Sequence, residues 1–451
     1  MFKSTRNSSI IICLFLLLLL FLILFSGCSS KPKNYKEITM WVMPNSQEPA
    51  RDVEKVLLPF HAANPGIKVS VTSLDWGSAW QKITAAATSG TGPDIIQLGS
   101  TWVGMVASMH SLGDLTKKAN LISAKNLFTP LSWRSSGIIN SKEITAIPWI
   151  VDARAMFYRT DVFRRLGLTV KDISTWQSFE KTLARIKKAQ LVVNGMKVNP
   201  LGITGKNDWN VVHNLAPWIW AGGGSFFDKS FKKSNLYASN AAKGISFYTG
   251  LAKKGYVPMS CLEKNSYQIS SEFFNGKYAI YFDGPYALKT LTTPSERGGA
   301  ADLPVARNFG VAPYPKGPYG RFTYGGGSNL AIFRYSKNKD AAWKVIEYLT
   351  TNKEAQVAYA KLTGFLPANK KAFKDPYFSE NPQLKVFVKS INFARNYPSI
   401  PQWGSLEMTT LPRRFGLMWS EAMEDIQNFD YKKARKQMLM ADKEINAVLS
   451  Q

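Results

Sequence analysis

The chain has 451 residues, of which 45% are hydrophobic, and it carries a formal net charge of +26. Such a length predicts two lobes or domains rather than one core, and the apolar content excludes a disordered chain. Lysine and arginine are scattered along the whole sequence without a zinc-finger or RNP-like motif, so no nucleic-acid partner is expected. The charge is compatible with a position beside anionic lipid headgroups.

The few cysteines and histidines argue against a disulfide framework and against a metal site. Cys261 is the one cysteine beyond the N-terminal region, so a disulfide framework is not expected. His61, His110 and His213 are far apart and lack the spacing of metal ligands. We therefore expect neither a metal site nor any other cofactor.

The N-terminus has the pattern of an export signal. A positively charged start precedes an unbroken apolar run over residues 10–25, which is short for a membrane-spanning helix and typical of a signal peptide. The segment from Phe25 to Cys28 resembles a bacterial lipobox. This resemblance implies that residues 1–27 are a lipoprotein signal peptide and that Cys28 becomes the first, lipid-bearing residue. The alternative is an uncleaved anchor with an incidental cysteine, and either way the body of the chain is exported.

The region after the lipobox predicts a flexible tether followed by an alternating fold. Residues 28–35 are polar and would link the lipid to the folded part. Period-two apolar residues predict strands, and longer periodic stretches predict helices. Strands are predicted at residues 38–42, 67–71 and 95–98, and helices at residues 47–60 and 80–87. This order implies right-handed crossovers and a mostly parallel sheet.

The alternation of strands and helices continues to the C-terminus. The segment Ser174-Thr175-Trp176-Gln177 fits a capping box that opens a helix running through Lys188. Further strands are predicted at residues 155–158 and 278–282, and further helices at residues 241–253, in two stretches over 339–361, and from 419 onward. Gly364, with Pro367 just beyond it, is typical of a helix end.

Nine short motifs, in one order over nearly the whole mature chain, carry a family resemblance. The chain resembles family 1 extracellular solute-binding proteins, the class that includes maltose- and trehalose-binding proteins. The motifs are Ile38-Thr39-Met40-Trp41; Asn64-Pro65-Gly66-Ile67-Lys68-Val69; Gly90-Thr91-Gly92-Pro93-Asp94-Ile95; Ile147-Pro148-Trp149 with Asp152 and Arg154; Tyr158-Arg159-Thr160-Asp161; Thr175-Trp176; Phe282-Asp283-Gly284-Pro285-Tyr286; Gly325-Gly326-Gly327-Ser328; and Thr363-Gly364-Phe365-Leu366-Pro367.

The resemblance implies a two-lobed α/β fold of the periplasmic-binding-protein type. Each lobe would be a mostly parallel sheet flanked by helices, with a hinge between the lobes. Lobe 1 would hold residues 36–150 and 312–366, and lobe 2 would hold residues 151–311 and 367–451. Proteins of this kind close around a ligand by a hinge motion between their lobes, as periplasmic binding proteins do.

A sugar site needs flat aromatic rings for apolar C–H faces and polar groups that pair with hydroxyls. Trp149 would stack on the ligand and Asp152 would accept hydroxyl hydrogens, since both lie where the chain is expected to cross between lobes. The alternatives are a core tryptophan beside a structural ion pair, a helix cap at Asp283, and a simple turn at the glycines. The full set of expected ligand-binding residues is Trp149, Asp152, Arg154, Asp283, Gly284, Tyr286, Gly326, Gly327, Trp102, Trp218, Trp220, Trp403, Gln47 and Glu48.

The expected function is therefore that of a binding lipoprotein rather than an enzyme. Through the resemblance, we expect a monomer that captures a sugar or oligosaccharide and delivers it to the transmembrane subunits of an ABC importer, held at the outer face of the cell membrane or a periplasmic membrane face by Cys28. One alternative keeps the fold with an anionic ligand, such as a glycerol phosphodiester or a uronate oligosaccharide, because the chain is basic and Arg154 could bind an anion. More remote alternatives are a surface adhesin and a glycosidase using Asp152 and Asp283.

Overall fold

The computed structural model describes residues 35–205, 208–424 and 431–450. The expected signal peptide and Cys28 lie outside the described residues, as does nearly all of the expected tether. Within the described ranges, no helix combines the length and the apolar character needed to cross a membrane. The strands are β1 Lys36–Val42, β2 Ile67–Ser73, β3 Ile95–Gly99, β4 Ile147–Ala153, β5 Ala155–Arg159, β6 Val192–Val193, β7 Met196–Lys197, β8 Asn199–Gly202, β9 Tyr278–Asp283, β10 Phe309–Ala312, β11 Thr323–Ile332, β12 Leu366–Pro367 and β13 Ala394–Arg395.

Helices cover the faces of the sheets and fill the second half of the chain. They are α1 Pro49–Ala63, α2 Trp76–Ser89, α3 Val103–Ser108, α4 Thr116–Leu121, α5 Ala124–Leu127, α6 Pro130–Trp133, α7 Thr160–Arg165, α8 Trp176–Ala189, α9 Val211–Ala221, α10 Ser239–Lys253, α11 Ser266–Phe274, α12 Tyr286–Thr292, α13 Lys339–Thr351, α14 Lys353–Thr363, α15 Pro376–Glu380, α16 Pro382–Ser390, α17 Trp403–Ser405, α18 Leu411–Glu424 and α19 Tyr431–Leu449. A π-helical turn, Leu406–Thr410, joins α17 to α18.

The first sheet has the order β12-β4-β11-β3-β1-β2, and β13 pairs with β11. Strands β1, β2 and β3 run parallel, as the strand–helix alternation predicts. Strand β11 is antiparallel to β3 and to β4. The two faces of the sheet bury different residues because side chains alternate along a strand. On β11, Leu330 and Ile332 enter the core that holds Met40, whereas Ala331 enters the core that holds Leu98.

The second sheet has the order β10-β5-β9-β8 and carries the largest core. Strands β10 and β9 both run antiparallel to β5, and only β8 and β9 are parallel among the described pairs of this sheet. The two-lobed α/β fold is confirmed, but the sheets are mixed rather than mostly parallel. The reason is that the antiparallel pairs join strands far apart in the chain: β11 returns from the other lobe and lies between β3 and β4, and β5 lies between β9 and β10.

The chain passes between the sheets at identifiable points. Strand β4 belongs to the first sheet and β5 to the second, so Arg154 alone lies between them. The chain returns between β10 in the second sheet and β11 in the first. A later segment pairs β13 with β11 and then enters α18, which packs on α9 and α10. The exact division into lobes stays a prediction.

Capping residues explain where helix α8 begins and where helix α14 ends. The Thr175 hydroxyl accepts from the backbone N–H of Ser178 at 3.2 Å, and the Ser178 hydroxyl oxygen accepts from the backbone N–H of Thr175 at 3.1 Å. The capping box therefore joins Thr175 and Ser178, one residue later than the predicted pair of Ser174 and Gln177. Gly364 ends α14 with φ +82°, a left-handed conformation that glycine adopts without strain.

Candidate ligand site

A buried ionic network occupies the first crossing between the lobes. Arg154 Nη1 donates to Asp283 Oδ1 at 2.7 Å and to the Tyr286 hydroxyl at 2.7 Å. Its Nε lies 3.2 Å from Asp152 Oδ2, an ion-pair distance without hydrogen-bond alignment. Asp283 also accepts from the Tyr286 hydroxyl and, at 2.8 Å, from Ser270 Oγ. One guanidinium therefore serves two carboxylates, one at the end of a strand in each sheet.

The two carboxylates of this network differ in whether an oxygen is left without a hydrogen-bond donor. Asp283 is buried and accepts from Arg154, Ser270, Tyr286 and the backbone N–H of Gly284, so its oxygens are occupied. Asp152 keeps Oδ1 buried without a hydrogen-bond partner. Burial raises the pKa of Asp152, although Arg154 opposes that shift. Asp152 is thus the carboxylate of this network that keeps an oxygen without a hydrogen-bond donor.

Glycines let the backbone approach the network closely. A Cβ on Gly284 would meet Asp152 Oδ1 and the Tyr286 ring. On β11, Gly326 pairs with Asp152 and Gly327 pairs with Val151. Gly327 has φ +131°, and a Cβ there would collide with the Ile150 carbonyl oxygen. These predicted residues are therefore brought together with Asp152, Arg154, Asp283 and Tyr286.

Tryptophans from both lobes meet one another at the boundary between the lobes. Trp102 makes edge-on contacts with Trp76 and Trp80, at centroid distances of 5.5 and 5.3 Å. Trp76 in turn lies 6.4 Å from Trp209, which precedes α9 of the other lobe. A Cβ on Gly404 would touch the Trp80 ring, so α17 packs directly on lobe 1.

A second aromatic group lies around His213 on α9. The imidazole stacks on Tyr324 of β11 at 3.8 Å, and its Nδ1 lies 3.1 Å from the Tyr397 hydroxyl. Tyr397 stacks on Trp403 at 4.0 Å. His213 therefore connects a strand of the first sheet with the segment that carries Trp403. Burial, helped by the charge on Arg154, holds the pKa of His213 well below its usual value.

Glu407 is the third carboxylate at the lobe boundary. It is fully buried, and neither oxygen makes a hydrogen bond of good geometry. Its Oε1 lies 3.3 Å from His213 Nε2. Burial raises the pKa of Glu407 to about 8, although the neighbouring side chains of Thr101, Trp403 and Trp102 oppose that shift.

The remaining predicted residues lie away from this centre. Trp149 is fully buried in lobe 1 and stacks on Tyr359 at 4.3 Å. Trp218 is buried in the lobe 2 core between Trp176, Phe179 and Phe247. Because both lie on helix α9, Trp218 and Trp220 point in different directions, and Trp220 packs on Phe226 and Tyr397.

Gln47 and Glu48 lie on the exposed surface after β1. Gln47 Nε2 donates to the Gly298 carbonyl at 2.9 Å, a contact between the end of β1 in lobe 1 and a turn that follows α12. Glu48 pairs with Arg51 at 2.8 Å within its own helix turn. Gln47 thus contacts the other lobe at the rim, and Glu48 does not take part in that contact.

Sequence reasoning missed several residues of the candidate site. Trp76, Trp209, Tyr324, Tyr397, His213 and Glu407 were not among the expected ligand-binding residues. The abundance of tryptophan was a usable signal for Trp76 and Trp209, because aromatic residues outside apolar stretches can serve ligands. His213 was considered only as a metal ligand, and no local pattern singled out Glu407.

Comparisons with known proteins agree with this two-lobed arrangement. A binding protein of Brucella abortus is 26% identical over 375 residues, covering 81% of this chain and 84% of that protein. The maltooligosaccharide ABC transporter solute-binding lipoprotein of Streptococcus pneumoniae is 24% identical over 378 residues, covering 82% and 81%. The GacH receptor of Streptomyces glaucescens, solved unliganded and with acarbose, superimposes with a TM-score of 0.76 at 21% identity and covers 92% of this chain and 99% of that one.

The family itself is shown by a match over most of the chain. The family model described as bacterial extracellular solute-binding protein matches residues 55–386. Relatives and structural neighbours are solute-binding proteins, so the chain is a binding protein rather than an enzyme. The chain belongs to the bacterial extracellular solute-binding proteins.

Proposed function

We propose that this protein is the substrate-binding lipoprotein of an ABC importer, which captures a neutral sugar or oligosaccharide between its lobes and delivers it to a membrane permease. The observation that carries the proposal is the meeting of Trp76, packed on Trp102 of the same lobe, with Trp209 from the other lobe. The crossing between the lobes adds the unpaired oxygen of Asp152. Flat rings can cover the C–H faces of a sugar, and a buried acceptor selects for a hydroxyl.

The names of relatives point to the same class of ligand. The Streptococcus pneumoniae relative is a maltooligosaccharide-binding lipoprotein, a Bacillus subtilis relative is a galactooligosaccharide-binding protein, and the Streptomyces glaucescens receptor binds acarbose. For this chain, the names of these relatives support a sugar or oligosaccharide as the ligand.

The anionic alternative has less support from the geometry. Arg154 supplies the guanidinium group where the chain passes between the lobes. This group already faces Asp152, Asp283 and the Tyr286 hydroxyl. Binding a phosphate or carboxylate there would require breaking a buried pair, which costs several kcal/mol. A neutral ligand can instead use Asp152 without disturbing the network.

Titration calorimetry with the mature protein tests the proposal. Maltose, maltotriose, galactooligosaccharides and uronates would be compared for wild type and for Trp76→Ala. We expect a selective neutral sugar, and about a tenfold loss of affinity in the variant, because aromatic contacts are worth roughly 0.5–1.5 kcal/mol beyond area burial. Trp133→Ala is a matched control, since Trp133 is equally half-buried but stacks on Phe128 in lobe 1. Binding of no sugar, or of uronates only, would reject the sugar assignment.

The lipid anchor at Cys28 is part of the same proposal and has its own test. Its support is the lipobox resemblance and the lipoprotein among the relatives. Expression in a bacterium with radiolabelled palmitate should label wild type but not Cys28→Ala. Cys261→Ala is the control, because Cys261 is buried beside Tyr278 and should leave labelling unchanged. Labelling that survives Cys28→Ala would reject the anchor.

A further inference from the structure

Lysines surround an open groove at the end of lobe 1 where the first strand begins. Strands β1 and β2 are parallel and pair Lys36 with Ile67, so both strands start at this edge of the sheet. The backbone N–H of Lys36 donates to the Gly66 carbonyl at 2.9 Å, which fixes the edge to the turn before β2. Asp340 and Lys344 of α13 line the groove together with Lys36. The side chains of all three residues are exposed to solvent.

The ammonium groups at this end share a single carboxylate of α13. Lys118 Nζ donates to Asp340 Oδ1 at 2.9 Å. The pKa of the Asp340 carboxyl is held below its usual value, first by this hydrogen bond and then by the charges of Lys118, Lys36 and Lys344. Since one carboxylate can neutralise only one ammonium group, a positive excess remains beside it.

Two further features extend the groove outward. The exposed Lys68 has its Nζ 5.5 Å from the centre of the Tyr35 ring, and Glu37 lies opposite Lys68 in the register of β1 and β2. Leu121 is 85% exposed and lies three residues after Lys118 on α4. An exposed leucine among lysines is typical of surfaces that meet lipid headgroups, where the apolar side chain enters the bilayer and the ammonium groups stay with the phosphates.

The covalent length of the tether keeps this end of lobe 1 near the proposed anchor. Residues 28–35 separate Cys28 from the start of β1, and eight residues reach at most about 29 Å when fully extended. Lys31 and Lys33 place two more positive charges in that stretch. Anionic headgroups attract lysines that come within a screening length of roughly 8–10 Å. With Cys28 anchored, the groove is thus held where this attraction can act.

We propose that the basic end of lobe 1, defined by Lys36, Lys68, Lys118 and Lys344, is a docking surface for a bilayer that contains anionic phospholipid. The inference rests on the proposed lipid anchor and adds to it an electrostatic contact that orients the anchored protein.

The orientation follows from the direction of the strands. Strand β2 starts at this end and finishes at Ser73, shortly before Trp76 of the candidate ligand site. Seven residues of strand put the two edges of the sheet roughly 20 Å apart. Docking would therefore hold lobe 1 against the membrane while the candidate ligand site faces away from it and stays accessible to sugars in solution.

Sedimentation with vesicles tests the proposal on the mature chain carrying Cys28→Ser, so that no acyl chain contributes to binding. Vesicles of phosphatidylcholine would be compared with vesicles of equal parts phosphatidylcholine and phosphatidylglycerol. We expect binding to the phosphatidylglycerol vesicles only, weakened at least tenfold between about 0.1 and 1 M salt, because the screening length falls from about 10 to 3 Å.

Charge-removing variants locate the surface. Lys36→Gln combined with Lys344→Gln should weaken vesicle binding about tenfold or more, since each lysine near an anionic surface contributes roughly fivefold. Lys181→Gln combined with Lys188→Gln is the matched control, because it removes the same charge from exposed positions of α8 in lobe 2. This control should bind the vesicles as the unsubstituted surface does.

Three results would overturn the proposal. Equal losses in the two double variants would show that net charge alone decides binding, and binding to neither kind of vesicle would show that no membrane contact exists. Release from the vesicles by glycerol 3-phosphate at constant ionic strength would show a site for small anions instead of a membrane surface. Failure of palmitate labelling at Cys28 would reject the anchor separately, because the vesicle measurement is made without acyl chains.

Discussion

The imidazole Nε2 of His213 lies 3.3 Å from Oε1 of Glu407, and both side chains are buried where the two lobes meet. The pKa of the carboxyl is raised and the pKa of the imidazole is lowered, in each case chiefly by burial. Both groups are therefore held in their neutral forms near pH 7. The pair should make both the stability of the protein and the ease of lobe opening depend on pH.

The first prediction concerns this pH dependence. A carboxyl whose pKa is about 8 in the folded protein and near 4.5 when unfolded stabilises the fold fully below pH 4.5. That contribution is lost as pH rises from about 4.5 through 8, by on the order of 5 kcal/mol at most. Glu407→Gln should flatten this loss, which urea unfolding at pH 5, 6.5 and 8 would measure. An identical pH profile in wild type and variant would contradict the assigned burial.

Removing Arg154 should destabilise the buried ionic network at the crossing between the lobes, and the loss of stability should depend on pH. Arg154→Met would leave Asp152 and Asp283 buried together without a cation, which typically costs about 3–5 kcal/mol. Because protonation relieves the repulsion between carboxylates, part of the loss should be recovered at low pH. Chemical unfolding at pH 5 and pH 7.5 would check this. Arg185→Met, at an exposed arginine that donates to the Leu166 carbonyl, should change stability by less than about 0.5 kcal/mol.

Trp149 should affect folding more than it affects ligand specificity. It is fully buried, stacks on Tyr359 and accepts at its backbone carbonyl from Gln356 at 3.0 Å. Trp149→Ala would leave a large cavity in lobe 1 and should cost about 3–5 kcal/mol. Differential scanning calorimetry would show the loss without ligand. Retained stability together with lost sugar binding would instead place Trp149 at the ligand.

Much of the fold was predictable from local patterns, and the strand directions were not. The alternation of Ile38, Met40 and Val42 predicts a strand with one buried face, and all three side chains are fully buried. Strand β11 contains three consecutive glycines, which strands disfavour, and nothing in its residues tells that it pairs antiparallel with both β3 and β4. Pairing direction depends on the path of the chain between lobes, which short-range periodicity does not record.

The candidate ligand site, like the fold, could be predicted from the sequence only in part. The family resemblance predicts the crossing and with it Asp152 and Arg154, and the glycines of β11 belong to one of its motifs. On a strand buried on both faces, however, composition does not tell which face meets the ligand, and Trp149 turns into the core. Glu407 lies within a π-helical turn, which breaks the 3.6-residue period on which helix-face arguments depend.

Gly327 should tolerate no side chain. Its φ of +131° is accessible to few L residues, and a Cβ would collide with the Ile150 carbonyl oxygen of the neighbouring strand. Gly327→Ala should therefore lower the free energy of unfolding by at least about 2 kcal/mol. Gly250→Ala is the control, because Gly250 lies inside α10 with open space around its Cα, and alanine there should stabilise by about 1 kcal/mol. Urea titration of both variants measures the contrast.

The last prediction concerns the rim contact between the lobes. Gln47 Nε2 donates to the Gly298 carbonyl, and the left-handed backbone at Gly298 brings that turn against the Gln47 side chain. Gln47→Ala removes this exposed contact without opening a cavity, so folding stability should stay within about 0.5 kcal/mol. If the contact exists only when the lobes are closed, its loss favours opening and should speed sugar release several-fold, with little change in the association rate. Stopped-flow fluorescence of the intrinsic tryptophans would measure both rates. Glu48→Ala, which removes only a local pair with Arg51, should leave both rates unchanged, and equal effects from the two variants would show that the rim contact does not hold the closed state.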